Sequence, residues 1–200
     1  MIDWLNRYAR KLPTWVVYLI GFVPMPFLFW QGINGQLGVD PVKALENEYG
    51  ELALQLLILG LAITPARRHL GLNLLRFRRA IGLLSFFYVL AHLLVWAVLD
   101  VQTRGAVWAD ILKRPYITIG MAGFVLLLPL ALTSNNWSLR QLGAGWRRLH
   151  KLTYPAILLG GVHYIWLVKG WQAEPMIYMA VILSLLVLRL PKRRKMPRVA

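Results

Sequence analysis

The sequence predicts an all-α membrane protein of six transmembrane helices, with the N- and C-termini cytoplasmic. Three observations carry that reading. Of 200 residues, 58% are apolar, well above the usual share for a soluble domain. These residues fall in long runs, several without any charged side chain. The basic residues cluster in alternate connecting segments, the asymmetry described by the positive-inside rule. A formal charge of +15 on a soluble protein would suggest nucleic acid; this distribution points to topology instead, with no nucleic-acid partner. Trp15, Trp30, Trp137, Trp166 and Trp171 lie near run ends and suit interfacial belts. There is no cysteine, which excludes disulfides, iron–sulfur clusters, thiolate metal sites and c-type heme attachment.

The spans are expected at about 12–30, 50–66, 80–99, 115–135, 149–168 and 174–190, in one domain covering 1–200. The first is charge-free, close to the roughly 20 residues that cross a bilayer. Pro13 suits its start, while Pro24 and Pro26 imply a kink or an early end. The N-terminus has no small-residue cleavage site after this run, so it reads as a retained span, not a signal peptide. A polar loop with four glycines and Asp40-Pro41 follows, continuing through Glu46, Glu48 and Glu51. The second span ends at Pro65, and a basic loop carries Arg67, Arg68, Arg76, Arg78 and Arg79. His69 in that loop reads as solvated. The third span holds His92, and a short charged loop runs from Asp100 to Arg114. The fourth ends at the polar residues 133–136, before Arg140, Arg147, Arg148 and Lys151. The fifth holds Pro155 and is followed by the short sixth; the tail carries Arg189, Lys192, Arg193, Arg194, Lys195 and Arg198. Segment charges of +2, +5, +4 and +6 put +17 on one side; −3, +1 and 0 put −2 on the other. The basic side is cytoplasmic, so both termini are inside.

A histidine within a membrane span is costly, and by default it marks a functional site. Spans three and five run parallel. His92 and His163 both lie near their outer ends, roughly 8–11 Å below them at the helical rise. At matched depth they could face each other and supply both axial ligands of a noncovalent b-type heme. Gly160 and Gly161, just below His163, would let a flat macrocycle approach the backbone, or would serve ordinary helix packing. His150 is roughly 20 Å away along the same span and about 140° around it, near the cytoplasmic interface. Its counterpart on span three, 14 residues before His92, is Arg78, which does not normally ligate iron. The outer site therefore reads as complete and the inner one as half built. Arg78 beside His150 suits a propionate, a flavin phosphate or a quinone carbonyl. The plain alternative is that each histidine only hydrogen-bonds a neighbouring helix, and that Arg76, Arg78 and Arg79 only anchor topology.

Several short segments, in order along nearly the whole chain, match one family. They are Gly-Val-Asp-Pro-Val-Lys at 38–43, Ile-Thr-Pro at 63–65, Arg78-Arg79, Ala91-His92-Leu93, Arg114-Pro115-Tyr116, Leu142-Gly143, the stretch 146–150, and His163-Tyr164. The chain thereby resembles the MsrQ (formerly YedZ) family, heme-binding membrane subunits of the bacterial periplasmic methionine sulfoxide reductase system. The wider group is the ferric-reductase-like transmembrane domain, whose members carry two histidine pairs on their third and fifth spans. This sequence lacks one of the four histidines.

The resemblance implies heme b and FMN as cofactors, with His92, His150 and His163 matching the heme-linked histidines. It implies a multi-pass protein of the bacterial inner membrane. Electrons would come from the quinone pool or a cytosolic flavin reductase. They would go to a periplasmic molybdopterin-containing catalytic subunit that repairs oxidised proteins. The sulfoxide chemistry would belong to that partner, and this chain would be the electron-transfer subunit. No glycine motif for a nucleotide phosphate is present, and no soluble dehydrogenase domain. Two other functions share some features. A ferric reductase would have the same core and another acceptor. A metal or proton transporter would use the histidines differently, but should show carboxylates within its spans, and none lies inside a run here.

Overall fold

The computed structural model describes residues 2–168 and 171–190; among them every regular element is helical. The basic positions expected at 192–198 lie outside the described residues. Helix α1 (Ile2–Lys11) precedes the first apolar run. Asn6 pins it to the loop after the second run, donating to Gly71 O at 2.9 Å and accepting from Asn73 N–H at 2.8 Å. Arg76 donates to the carbonyls of Ala9 and Arg10. One arginine of the basic cluster thus satisfies the last carbonyls of α1, as cations do at helix C-termini.

The first run forms α2 (Thr14–Phe22) and α3 (Pro24–Ile33), which meet at Val23. The break falls at Pro24, and the second half extends past the expected residue 30. Buried tyrosines on later helices serve the backbone around it: Tyr88 donates to Gly21 O at 2.8 Å and Tyr49 to Met25 O at 2.7 Å. Proline breaks within membrane helices are tolerated when neighbours satisfy the backbone this way.

Helix α4 (Pro41–Pro65) corrects the expected second span. The polar stretch through Glu51, expected as loop, forms the first turns of this helix. Asp40 is its N-cap, accepting from Lys43 N–H at 3.0 Å, and Pro41 occupies N1. Three carboxylates, Glu46, Glu48 and Glu51, therefore lie in the helix, and Glu46 is buried. A wider π turn (Ala66–Leu70) follows and ends at Gly71, whose φ of 72° suits glycine. Helix α5 (Arg78–Leu94) continues as a second π turn, Val95–Asp100.

Three further helices occupy segments expected as loops: α6 (Arg104–Lys113), α8 (Asn136–Leu142) and α9 (Ala144–Leu149). Local caps explain two of them. Thr103 Oγ1 accepts from Ala106 N–H at 3.4 Å, and Asn135 Oδ1 from Ser138 N–H at 2.7 Å. Between α6 and α8 runs α7 (Pro115–Leu132). A 3₁₀ turn (His150–Leu152) leads into α10 (Thr153–Leu167), and α11 (Ala173–Leu188) completes the described part. Pro155 falls in the first turn of α10, where its missing N–H has no internal partner to lose; the irregular backbone is the 3₁₀ turn before it.

Helices α4, α5, α7 and α10 pack together, with α2 and α3 outside α5 and α4, and α11 against α10 and α4. One apolar core joins Leu54, Leu57 and Leu61 to Leu127, Leu130, Ala156, Ile157 and Ile182. A second joins Leu45, Tyr49 and Ala53 to Tyr88 and Val95. The five tryptophans expected at interfaces are all exposed, as is His69. Among the described residues, four helical segments are long and apolar enough to cross a membrane: Thr14–Ile33, Pro41–His69, Leu75–Asp100 and Pro115–Leu132. Helices α10 and α11, with 15 and 16 residues, are shorter than the roughly 20 that span the hydrocarbon core.

Candidate functional site

His92 on α5 and His163 on α10 come together between the packed helices, ring centroids 6.2 Å apart and planes at 80°. Each ring is held by a backbone carbonyl on a third helix. His92 Nδ1 is 2.8 Å from Glu46 O on α4, and His163 Nδ1 is 2.7 Å from Tyr116 O on α7. A carbonyl only accepts, so in both rings Nδ1 carries the proton and Nε2 keeps its lone pair. A hydrogen bond from the second nitrogen is the usual way a protein orients a metal-binding histidine.

A glycine makes each approach possible. A Cβ on Gly50 would lie 3.0 Å from His92 Nδ1, and one on Gly120 would lie 2.9 Å from His163 Nδ1. Gly50 is four residues after Glu46, and Gly120 four after Tyr116. Thus each ring lies on the bare face of a helical turn and reaches the carbonyl at that turn's start. By contrast, Gly160 and Gly161 face Leu54 and the Met179–Ile182 side chains, so they are helix-packing positions. The sequence pattern points to that pair, and the contacts single out Gly50 and Gly120 instead. The sequence signal is a glycine four residues after Glu46 on α4 and another four residues after Tyr116 on α7.

The pair fits axial ligation of a heme iron. Two imidazole–metal bonds of about 2 Å, plus half a ring on each side, come to about 6 Å. That matches the ring separation. Among the described residues no three His, Asp or Glu side chains gather as a metal site. Two protein donors are what a metal already held in a macrocycle requires of the chain.

His150 is elsewhere. It lines a cavity of about 560 Å³ at the other end of the bundle, together with Arg78. Arg76, Arg79, Arg147, Lys151 and Arg189 also line it, and among the described residues no carboxylate does. Its apolar wall includes Leu57, Phe86 and Leu127. Phe86 stacks on Phe124 of α7 at 5.9 Å. Phe86 is six residues before His92, roughly 9 Å along α5, so this pair stands between the cavity and the two histidines. The His150 ring stacks on Trp146, centroids 3.8 Å apart. Thr133 fastens both: its carbonyl accepts from Trp146 Nε1–H at 2.9 Å, and its Oγ1 lies 3.0 Å from His150 Nε2. The Thr133 hydroxyl donates to Pro129 O at 2.6 Å, so it must accept from His150 Nε2–H. The nitrogen of His150 left with a lone pair is therefore Nδ1.

Arg189, expected as part of the basic tail, turns inward instead. Its Nε and Nη2 donate to Leu61 O at 3.0 and 2.6 Å, and its Nη1 to Tyr154 OH at 3.1 Å. Arg79 donates to Asn136 Oδ1 at 2.7 Å, while Arg78 is exposed to the cavity.

Residues 49–161 match the family described as ferric reductase like transmembrane component. Protein-methionine-sulfoxide reductase heme-binding subunit MsrQ of Brucella anthropi is 51% identical over 177 residues, covering 88% of this chain and 80% of the relative. The proteins of the same description from Brucella ovis and Brucella canis are each 51% identical over 179 residues, covering 89% of this chain and 81% of theirs. No solved structure matches.

Proposed function

The chain belongs to the ferric-reductase-like transmembrane family, and within it to the MsrQ heme-binding subunits of protein-methionine-sulfoxide reductase; from that membership we propose that it is a six-span cytochrome b relaying electrons across the bacterial inner membrane. In this reading α10 and α11 complete the spans despite their length, 1–200 forms one domain, and both termini are cytoplasmic. The charge asymmetry supports it.

The observation that carries the reading is the imidazole pair, with both Nδ1 atoms tied to carbonyls and both Nε2 lone pairs left for iron. His92 and His163 would hold heme b at the periplasmic end. A bound heme would supply one-electron chemistry; the chain would supply the two imidazole nitrogens and their orientation. At the cytoplasmic end, the cavity beside His150 and Arg78 is the receiving site. Six cationic side chains without a carboxylate suit an anionic planar cofactor, FMN or a second heme, with phosphate or propionates toward the arginines. The donor is the quinone pool or a cytosolic flavin reductase. The acceptor is a periplasmic molybdopterin-containing subunit, which performs the sulfoxide reduction in protein repair.

The test is the absorption spectrum of the purified protein. A reducible b-type spectrum is expected. His92→Ala and His163→Ala should each abolish the outer heme signal, while His150→Ala keeps it. A colourless protein after expression with ample heme, or full outer heme in both alanine variants, overturns the reading.

A further inference from the structure

The heme-ligand reading leaves one charged cluster without a role. Lys43 Nζ donates to Glu46 at 2.8 Å and to Asp100 at 2.9 Å. Glu46 is the residue whose carbonyl holds His92, and its carboxylate is buried, with the side chain 8% exposed. Asp100 closes the π turn that continues α5, the helix carrying His92. Lys43 is fixed at its own backbone by the Asp40 cap. One ammonium therefore joins the two elements whose contact sets the His92 ring, and it joins them through their carboxylates. Two acids against one base leave a single net negative charge. Arg114 is also within electrostatic range of Asp100, but it is paired with Asp110 at 3.4 Å.

A fixed charge beside a redox centre acts on its two oxidation states unequally. In a medium of low dielectric that difference is large. Negative charge favours the oxidised iron, which carries one more positive charge. A buried carboxylate whose cation is removed presents its full charge to the neighbourhood.

We propose that Lys43, bridging the buried Glu46 carboxylate and Asp100, holds the charge beside the His92–His163 pair at one negative unit and thereby sets the reduction potential of the iron held there. This rests on the reading of His92 and His163 as heme ligands. Lys43 and Glu46 act through His92 and its field, so both are positioning residues. A purely mechanical clip would behave differently: removing either partner would loosen the same contact, with the same effect.

The experiment is a redox titration of the outer heme, followed by its absorption, in the purified full-length protein. Lys43→Met should lower the midpoint potential, because two negative charges remain. Glu46→Gln should raise it, because none remains in excess. The double variant should return toward the wild-type value, and Lys43→Arg should stay near it. Asp100→Asn, at the more exposed carboxylate, should also raise the potential and serves if Glu46→Gln does not accumulate. Shifts of the same sign in Lys43→Met and either acid variant, or no shift in any, overturn this inference while the heme-ligand reading stands. A wild-type protein lacking the outer heme overturns both, at the earlier step.

Discussion

At the scale of single residues, the histidine pair depends on two absent side chains. A methyl group on Gly120 would meet His163 Nδ1 at 2.9 Å and Cε1 at 3.0 Å, and one on Gly50 would meet His92 at 3.0 and 3.3 Å. The His163 ring would have to shift, and the His92 ring to give by a few tenths of an ångström, against their bonds to the carbonyls. Gly120→Ala and Gly50→Ala should therefore lower the heme retained on purification, Gly120→Ala the more. Gly160→Ala, whose nearest neighbour is a Leu54 methyl at 3.6 Å, should retain heme like wild type. The heme absorbance per protein checks all three; equal retention in the first two and the control would break the link between glycine and ring. His92 and His163 were legible because a polar ring in an apolar run stands out. The glycines were not, because helix packing also uses glycine and only the partner across the interface tells the two uses apart.

At the scale of elements, the start of α4 does more than begin a helix. Asp40 caps it, Pro41 opens it, Lys43 reaches the end of α5, and Glu46 offers its carbonyl to His92. The motif at 38–43 thus has a physical reading: it sets the register in which Glu46 meets His92. Asp40→Ala should cost about 1 kcal/mol. It should lower the temperature of heme loss on heating, and Asp40→Asn should recover most of that. At the opposite end of the bundle, Arg189 ties α11 to the Leu61 carbonyl of α4 and to Tyr154 of α10. Arg189→Met removes charge-assisted bonds worth about 2 kcal/mol. It should reduce thermal stability and leave the outer heme spectrum unchanged; a lost outer heme would show that α11 also governs the histidine pair. The polar stretch before residue 50 reads as loop because its charges mask a helix whose cap lies in a single aspartate.

At the scale of the whole molecule, the two sites occupy opposite ends of one four-helix core. One end carries the paired imidazoles and the other a cavity lined by cations. If the basic side faces the cytoplasm, a reporter active only in the periplasm and fused after Ala200 should be silent. Activity there would reverse the orientation and with it the direction of transfer.

By itself, the sequence determined the helical class, the membrane setting and the charge asymmetry. Each of these follows from composition and periodicity along the chain, and neither changes when distant segments meet. The tertiary structure decided which nitrogen of each ring is free, since that depends on carbonyls 46 and 47 residues away in sequence. It also decided that Gly50 and Gly120, not Gly160 and Gly161, serve the rings, and that Arg189 belongs to the core. Those are facts of contact between helices, and a one-dimensional pattern carries no information about which faces touch.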